Sequence, residues 1–337
     1  MNKKTSIAIA GLGLMAQFHI PEILKQKDST EVVVVCEPSR PVYEESRKLF
    51  LDAGVKPPPN EPDFNRMLSQ YAENLEAVFI ITPHVYHFDQ AKASLETGLD
   101  VLLEKPMVMT PEEAQLLIDV TRKSGKLLVI AFQGSLSPQI RTAVKLLQSG
   151  ALGKLQSISA TVWQDWGEKT AGTWRQDPEM SGGGFLFDTG AHMLNTVADL
   201  AGEEFTEVSA WFRNNGRRVE TQAAIIARLA SEALVTLHAT GDTIPSCNSE
   251  IFAYYSKAII RSGIWGECLE IQYSGEESFS SVEFPDSQGV WEQFLAIRKG
   301  EMENSSPPEK GLRMACLYQA IKESALSGGI VVPVKNS

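Results

Sequence analysis

A glycine-rich turn between a short apolar run and a helix is the sequence feature that most limits how this chain can fold. Residues 6–10 read SIAIA, a β-type run, and GLGLMA follows at once and leads into a helix-like stretch that begins near Ala16. In such a turn Gly11 permits the sharp bend, Gly13 lets a pyrophosphate approach the backbone, and the small Ala16 lets helix and strand pack closely. The free N–H groups and the positive dipole end of the helix would face the phosphates. We therefore expect a dinucleotide site with contacts from Gly11, Gly13, Leu14, Met15 and Ala16.

The end of the second apolar run supports the same interpretation. Taken alone, a glycine turn needs no ligand, but the run VVVVC (Val32 to Cys36) ends in Glu37. A carboxylate there can accept hydrogen bonds from the adenosine ribose hydroxyls. It would also repel a 2′-phosphate, which favours NAD over NADP. Ser39 and Arg40 follow directly and could bind that phosphate if Glu37 turned away, so NADP stays an open alternative.

The order of the predicted elements indicates two domains. In the first part of the chain, short apolar runs alternate with helical stretches, which is typical of a doubly wound parallel α/β sheet. In the second part, long β-type runs follow one another with few helices between them, which predicts one large, mostly antiparallel open sheet. We therefore expect an NAD(P)-binding Rossmann domain over residues 1–131 and an α+β domain for substrate binding and oligomerisation over residues 132–337.

The charge and the cysteine content exclude several classes of partner. A formal net charge of -11 at pH 7 argues against nucleic acid or an anionic membrane surface, since both need basic patches. The four cysteines show no C-x-x-C spacing and no grouping with histidines, so we expect no metal site, and they suit a reducing cytoplasm. The basic start of the chain and the apolar run from Ser6 to Ala16 resemble a secretory signal, but cleavage there would remove the glycine turn. No other segment is apolar and long enough to span a bilayer.

The segment Glu104-Lys105-Pro106 comes directly after a predicted strand that ends at Leu103. Doubly wound sheets bind ligands beyond the carboxyl ends of their strands, so Lys105 is expected where a substrate or cofactor would lie. An exposed ion pair between Glu104 and Lys105 is the alternative.

The stretch SGGGFLFDTGAHMLN, residues 181–195, holds a carboxylate and an imidazole four residues apart. On a helix, Asp188 and His192 would share one face. The three preceding glycines suggest a backbone brought close to another surface, which we take to be the substrate cleft. A buried structural histidine is the alternative for His192, but its pairing with Asp188 in a chain with a cofactor turn favours function.

In order and spacing these motifs resemble the Gfo/Idh/MocA family, the glucose-fructose oxidoreductase and inositol dehydrogenase family. The resemblance is carried by GLGLMA, by Ile81-Thr82-Pro83 with His87 after it, by Glu104-Lys105-Pro106, by Trp174-Arg175 and by GGGFLFDTGAH ending at His192. It implies a Rossmann domain followed by a domain with a large open sheet, nicotinamide and substrate meeting between them, and a homodimer or homotetramer. It also implies a cis peptide bond between Lys105 and Pro106. The further cofactor contacts that it implies are Thr82, Pro83, His87, Glu104, Lys105 and Pro106.

The resemblance implies that Lys105, Asp188 and His192 surround the reacting carbon, and their chemistry agrees with hydride transfer. Oxidation of a secondary alcohol releases the hydroxyl proton, and an imidazole with a pKa of about 6.5 suits that transfer at neutral pH, so we assign His192 as general base. Asp188 would orient the ring or hold a substrate hydroxyl, and Lys105 would donate to the substrate oxygen. Trp174 and Arg175 would line the substrate, although core packing and a surface salt bridge explain them equally well.

We therefore expect an NAD(P)-dependent dehydrogenase or reductase that acts on a CH–OH group of a small sugar, cyclitol or related polyol. Two alternatives stay open: a non-catalytic nucleotide- or sugar-sensing protein of the same fold, and a glycoside-modifying enzyme that oxidises a hydroxyl only transiently. Two departures from the family pattern concern the substrate. Asn195 stands where many members carry an acidic residue, and residues 132–135, FQGS, lack an arginine often found there.

Overall fold

The computed structural model describes residues 3–284 and 289–335, and these form two compact units. The first unit comprises residues 3–108, 112–131 and 289–309. The second comprises residues 109–111, 132–284 and 310–335. The expected domains, 1–131 and 132–337, extend beyond the described residues at both ends of the chain, and the second also spans the undescribed residues 285–288.

Strands alternate with helices through the first part of the described chain, whereas strands follow one another from residue 205 to residue 281. The strands are β1 (Thr5–Ala10), β2 (Thr30–Cys36), β3 (Ala77–Ile80), β4 (Asp100–Leu103), β5 (Leu128–Ile130), β6 (Leu155–Gln164), β7 (Phe205–Arg213), β8 (Gln222–Leu229), β9 (Leu234–Thr240), β10 (Cys247–Tyr255), β11 (Ala258–Ser262), β12 (Leu269–Tyr273), β13 (Ser280–Ser281) and β14 (Val332–Pro333). The helices are α1 (Leu14–Lys25), α2 (Arg40–Asp52), α3 (Phe64–Tyr71), α4 (His87–Glu96), α5 (Pro111–Ser124), α6 (Gln133–Leu136), α7 (Pro138–Gln148), α8 (Trp166–Lys169), α9 (Pro178–Ser181), α10 (Gly190–Ala201), α11 (Val290–Arg298) and α12 (Pro308–Leu326). Within the described part of the chain, no helix combines the length and the apolarity that crossing a membrane would require.

The first unit is built on a five-stranded sheet in the order β2-β1-β3-β4-β5, and every neighbouring pair is parallel. All four residues of β3 are buried, as expected of a central strand covered on both faces. The predicted doubly wound parallel sheet is therefore confirmed. The chain runs from β1 to β2 on one side and places β3 on the other, so the strand order reverses between β1 and β3. Ligands of such sheets bind beyond the carboxyl ends of the strands at this switch point.

Residues 289–309 belong to the first unit because α11 supplies aromatic side chains to its core. Trp291 is fully buried and donates its indole hydrogen to Thr30 Oγ1 at 3.0 Å. Its ring stacks on Phe79 of β3, with the ring centroids 6.2 Å apart. Arg298, at the end of α11, donates to Asp100 Oδ2 at 2.7 Å. The expected division of the chain at residue 131 put residues 289–309 in the second domain, whereas they pack in the first unit.

The second unit is built on a nine-stranded sheet in the order β13-β12-β11-β10-β6-β9-β8-β7-β14. Strands β6 and β9 run parallel, and the other described neighbours are antiparallel, which confirms the predicted large, mostly antiparallel sheet. Burial alternates along the strands: in β8, Ile225 and Ala227 are buried, whereas Ile226 is 52% exposed. Since α10 packs against β6, one face of the sheet carries the core and the other carries exposed side chains.

Candidate active site

The glycine turn of the first unit joins the ends of three parallel strands. Gly11 has a φ of +85°, and a Cβ added to it would lie 2.6 Å from the carbonyl oxygen of Ile81, so only glycine fits there. The Gly11 N–H donates to the Cys36 carbonyl at 2.9 Å. The turn thus lies at the carboxyl ends of β1, β2 and β3, at the switch point of the sheet.

Gly13 is glycine for a different reason. It is the residue before α1, and a Cβ added to it would meet no described atom within 4 Å. Packing within the protein therefore does not require glycine at this position. A phosphate that approaches the first turn of α1 would require it, because a side chain would hold the phosphate away from the backbone N–H groups. Ala16 in that turn is fully buried, as the close packing of helix and strand requires.

The Glu37 carboxylate is held beside the turn by two backbone groups. Its Oε2 accepts from the Leu12 N–H at 2.9 Å, and its Oε1 accepts from the Ser39 N–H at 2.8 Å. The side chain of Asn60 accepts from the Glu37 N–H through Oδ1 and donates to the Glu37 carbonyl oxygen through Nδ2, at 2.9 Å each. Each carboxylate oxygen can accept a second hydrogen bond, so the arrangement fits ribose hydroxyls. Arg40, the first residue of α2, is exposed.

The Glu104-Lys105-Pro106 segment follows β4, and both Glu104 and Lys105 are buried. The peptide bond between Lys105 and Pro106 is cis, as the family resemblance implied. Glu104 Oε1 lies 2.6 Å from His19 Nε2, and Glu104 Oε2 accepts from the Lys105 backbone N–H at 3.1 Å. No sequence motif marked His19, which also packs on Phe79 with ring centroids 4.9 Å apart.

His87 supports the same segment from α4. The ring is fully buried, with Nδ1 2.8 Å from the Pro106 carbonyl oxygen and Nε2 2.9 Å from the Thr82 carbonyl oxygen. Burial lowers the pKa of His87, and the two carbonyl contacts oppose that change because they favour the protonated ring. Since both ring nitrogens already face backbone oxygens, His87 acts on this end of the sheet through Thr82 and Pro106. Thr82 in turn donates its hydroxyl to Gln90 at 2.7 Å, and Pro83 follows it.

In the second unit, Asp188 lies in the turn before α10. Its Oδ2 accepts from Trp166 Nε1 at 2.9 Å and from Arg175 Nε at 3.1 Å. The Arg175 guanidinium lies over the Trp174 ring, 4.6 Å from the centroid. Trp174, Arg175 and Asp188 are thus brought together as one group. Asp188 and His192 were expected on one helix, but Asp188 precedes α10, which begins at Gly190.

His192 is in the first turn of α10 and is 8% exposed. Its ring meets Phe132 edge-on at a centroid distance of 6.3 Å and lies 6.0 Å from the ring of Trp265. Trp265 was not predicted as a site residue, because it lies in a loop after β11 and belongs to no recognisable motif. The two aromatic rings give the imidazole a largely apolar setting.

The three glycines at 182–184 approach protein rather than a substrate cleft, so that expectation was wrong. A Cβ at Gly183 would overlap the Tyr318 hydroxyl, and one at Gly184 would overlap the backbone of Glu220. Glu220 Oε2 accepts from the Gly184 N–H at 2.8 Å, and Oε1 accepts from the Tyr318 hydroxyl at 3.1 Å. Burial raises the pKa of Glu220. These contacts hold the turn that carries Asp188, and no sequence motif marked Glu220 or Tyr318.

Asn195 and Ser135, the last residue of the FQGS segment, lie in one buried cluster. Asn195 Nδ2 donates to Ser135 Oγ at 2.7 Å, and Ser135 Oγ donates to Asp199 Oδ2 at 2.6 Å. Lys310 and Arg313 of α12 each lie 2.6 Å from an oxygen of Asp199. Burial alone would raise the pKa of Asp199, but the charges of Arg313 and Lys310 hold it below its usual value. The carboxylate of this cluster thus comes from Asp199, one turn after Asn195, and its cations come from α12.

Metal binding has no support in the described residues. Across residues 3–284 and 289–335, no group of three or more His, Cys, Asp or Glu side chains is arranged to hold a metal ion.

Two family models match the chain, one over each unit. Residues 5–132 match the oxidoreductase family with an NAD-binding Rossmann fold, and residues 140–261 match the GFO/IDH/MocA C-terminal domain. The matches therefore place the chain among oxidoreductases with an NAD-binding Rossmann domain. The chain belongs to the Gfo/Idh/MocA family.

The curated relatives of the chain include sugar dehydrogenases. Levoglucosan dehydrogenase of Pseudarthrobacter phenanthrenivorans is 30% identical over 139 residues, which is 41% of this chain and 35% of the relative. D-glucoside 3-dehydrogenase of Escherichia coli is 27% identical over 216 residues, 64% of this chain and 59% of the relative. The chain thus spans about a third to three fifths of the length of these relatives.

Solved structures share the whole fold. Levoglucosan dehydrogenase in complex with NADH and L-sorbose superposes with a TM-score of 0.85 at 21% identity, covering 99% of this chain and 100% of that one. An inositol dehydrogenase homolog complexed with NAD+ from Azotobacter vinelandii has a TM-score of 0.84 at 19% identity, with 98% of each chain covered. At these identities the likeness establishes the architecture.

Proposed function

We propose that the chain is an NAD-dependent dehydrogenase that oxidises a secondary hydroxyl of a sugar, cyclitol or related polyol. One observation carries the proposal: the Asp188 carboxylate, bonded by Trp166 and Arg175, immediately precedes the helix turn that presents His192. A fixed carboxylate four residues before an imidazole, in a chain with an NAD-binding domain, suits proton removal from an alcohol. The names of the relatives, levoglucosan dehydrogenase and D-glucoside 3-dehydrogenase, support the substrate class.

The residues of the chain would divide the reaction between them. His192 takes the hydroxyl proton on its ring, while Phe132 and Trp265 limit competing water around it. Asp188 holds a substrate hydroxyl or orients the imidazole, and Arg175 keeps that carboxylate in place. Lys105 donates a hydrogen bond to the substrate oxygen as it gains alkoxide character. NAD, when bound, supplies the hydride acceptor.

The same residues would hold the cofactor and favour NAD. The backbone from Gly13 to Met15 would bind the pyrophosphate, and Glu37 would accept from the adenosine ribose. Because Leu12 and Ser39 both donate to Glu37, its carboxylate is held where a 2′-phosphate would be repelled. Arg40, three residues after Glu37, is an exposed cation suited to a 2′-phosphate. NADP is therefore the competing cofactor in the assay.

The experiment is a screen of NAD+ and NADP+ with a panel of sugars, cyclitols and polyols, followed by nicotinamide absorbance. With a substrate in hand, Lys105→Met and His192→Ala are each expected to lower kcat by about 10²–10⁴-fold. Lys123→Met, at an exposed lysine of α5, is the matched control and is expected to keep the wild-type rate. Near wild-type rates in His192→Ala would remove His192 from the reaction. Tight nucleotide binding without any redox change across the panel would favour the sensing alternative over a dehydrogenase.

Self-association through the second unit is part of the proposal. The face of the nine-stranded sheet opposite α10 exposes Trp211, Ile226 and Leu234, at 52%, 52% and 50%. Exposed apolar side chains on one flat sheet face suit a symmetric contact with a second copy, in a homodimer or homotetramer. Ile226→Asp should lower the mass measured by light scattering to that of a smaller species. Leu116→Asp, at a 54% exposed leucine of α5, should not.

A further inference from the structure

We propose that His19 is a positioning residue for Lys105, which it controls through the side chain of Glu104. The inference rests on the proposed function, in which Lys105 contacts the substrate oxygen. His19 lies on α1, the helix that follows the glycine turn, and Glu104 lies 85 residues later at the end of β4. One carboxylate therefore connects the helix at the nucleotide turn with the backbone of the lysine.

The contact between His19 and Glu104 is short and protected. Nε2 of His19 lies 2.6 Å from Glu104 Oε1, and we assign the shared hydrogen to Nε2 because carboxylate oxygens accept hydrogen bonds. The two side chains are 14% and 8% exposed, so water competes little for either group. The His19 ring also packs against Phe79, which is fully buried in β3. The packing of the ring on Phe79 thus fixes the orientation in which Nε2 faces Glu104.

The second oxygen of Glu104 extends the link to Lys105. Glu104 Oε2 accepts from the Lys105 backbone N–H at 3.1 Å, and the Glu104 N–H donates to the Ile80 carbonyl at 2.9 Å. The hydrogen bond to Ile80 thus fixes the main chain at Glu104, and the Glu104 carboxylate fixes the amide of Lys105. Lysine has a flexible four-carbon side chain, so where its ammonium group can reach depends on where its backbone is held.

His19 differs from His87, the other histidine that supports this segment. His87 faces two backbone carbonyls from inside the core, so its replacement would disturb the fold of the unit itself. The polar contact of His19 is with a side chain and lies near the surface of the core. His19 can therefore be changed while the sheet around it stays folded.

Two substitutions separate the hydrogen bond from the packing. His19→Phe keeps an aromatic ring on Phe79 and removes the donor, whereas His19→Gln keeps an N–H donor of similar reach. In the oxidation assay, we expect His19→Phe to lower kcat by about 10- to 100-fold, as a misplaced reacting group does. The Kd for NADH and the KM for the polyol should change by less than about 3-fold, since neither ligand loses a direct partner. His19→Gln should recover most of the rate.

Hydrogen–deuterium exchange of the cofactor-free protein provides a readout without catalysis. The amide of Lys105, resolved by fragmentation of the peptide that contains it, should exchange faster in His19→Phe than in wild type, and His19→Gln should exchange like wild type. Unchanged exchange in His19→Phe, or an equal kcat in both variants, would overturn the role of His19. If no variant and no wild-type protein oxidises any polyol, the proposed function fails, and the exchange result alone decides whether His19 positions Lys105.

Discussion

The side-chain amide of Asn195 donates to the hydroxyl of Ser135 at 2.7 Å, so Asn195 contacts the FQGS segment, the other place at which the chain departs from the family pattern. Arg313 joins them, because its guanidinium donates to Asn195 Oδ1 at 3.0 Å and to Asp199 Oδ1 at 2.6 Å. Two neutral side chains thus meet here, and the carboxylate of the cluster, Asp199, lies one helix turn after Asn195. Since Asn195 and Asp199 are on α10 with His192, the cluster ties the helix of the proposed base to α12.

The buried cluster predicts that Asp199 is needed for stability. Asp199→Asn removes the negative charge and leaves Lys310 and Arg313 partly buried without a counter-charge, which is expected to cost about 3–5 kcal/mol in the free energy of unfolding. Urea unfolding followed by tryptophan fluorescence measures the loss. Asp52→Asn, at the exposed end of α2, is the control and should change stability by less than about 0.5 kcal/mol. An equal effect of the two substitutions would contradict the prediction.

The raised pKa of Glu220 predicts a specific pH dependence. Burial favours its protonated form in the folded state, so the stability it contributes is present below its ordinary pKa of 4.5 and is lost as the pH rises through the raised value. Glu220→Gln keeps hydrogen-bonding atoms for Gly184 and Tyr318 and cannot ionise. We expect the Tm of Glu220→Gln minus the Tm of wild type to increase as the pH rises from 4.5 toward 8. A constant Tm difference across that range would show that burial of the charge is not the cause.

Two glycine substitutions should separate a folding role from a binding role. Gly13→Ala meets no described atom within 4 Å, so its Tm should equal that of wild type, whereas its Kd for NADH should rise by about 10-fold or more because the added methyl group lies where the phosphate would approach. Gly184→Ala overlaps the backbone of Glu220 and should destabilise the second unit by more than about 3 kcal/mol. NADH fluorescence titration and calorimetry measure both. Unaltered NADH affinity in Gly13→Ala would place the pyrophosphate elsewhere.

The fixed carboxylate of Glu37 predicts the choice between cofactors. Glu37→Gln keeps one acceptor beside Leu12 and Ser39 and removes the negative charge. Removing one repulsive unit charge near a phosphate is worth about 1 kcal/mol or more, so the ratio of kcat/KM with NADP+ to that with NAD+ should rise by about 10-fold. The ratio is measured with each cofactor at a fixed polyol concentration. A wild-type protein that already prefers NADP+ would contradict the assignment of Glu37.

Local patterns in the sequence were enough to predict the elements and motifs of this protein. The alternation of apolar runs and helices indicated the parallel sheet, the run of β-type segments indicated the antiparallel one, and turn chemistry marked Gly11 and Gly13. These features depend on residues close together along the chain, where periodicity and backbone geometry act directly. Short motifs marked Lys105, Asp188 and His192, and the family resemblance implied their place around the reacting carbon.

Only the tertiary structure decided which distant residues meet. Trp291 returns to the first unit and packs on Phe79, His19 reaches Glu104 across 85 residues, and Arg313 bonds Asp199 across 114. Gly183 and Gly184 likewise owe their identity to Tyr318 and Glu220, which no pattern near them reveals. Such contacts are set by how whole elements pack, and a single buried partner far along the chain leaves no periodic trace in the sequence.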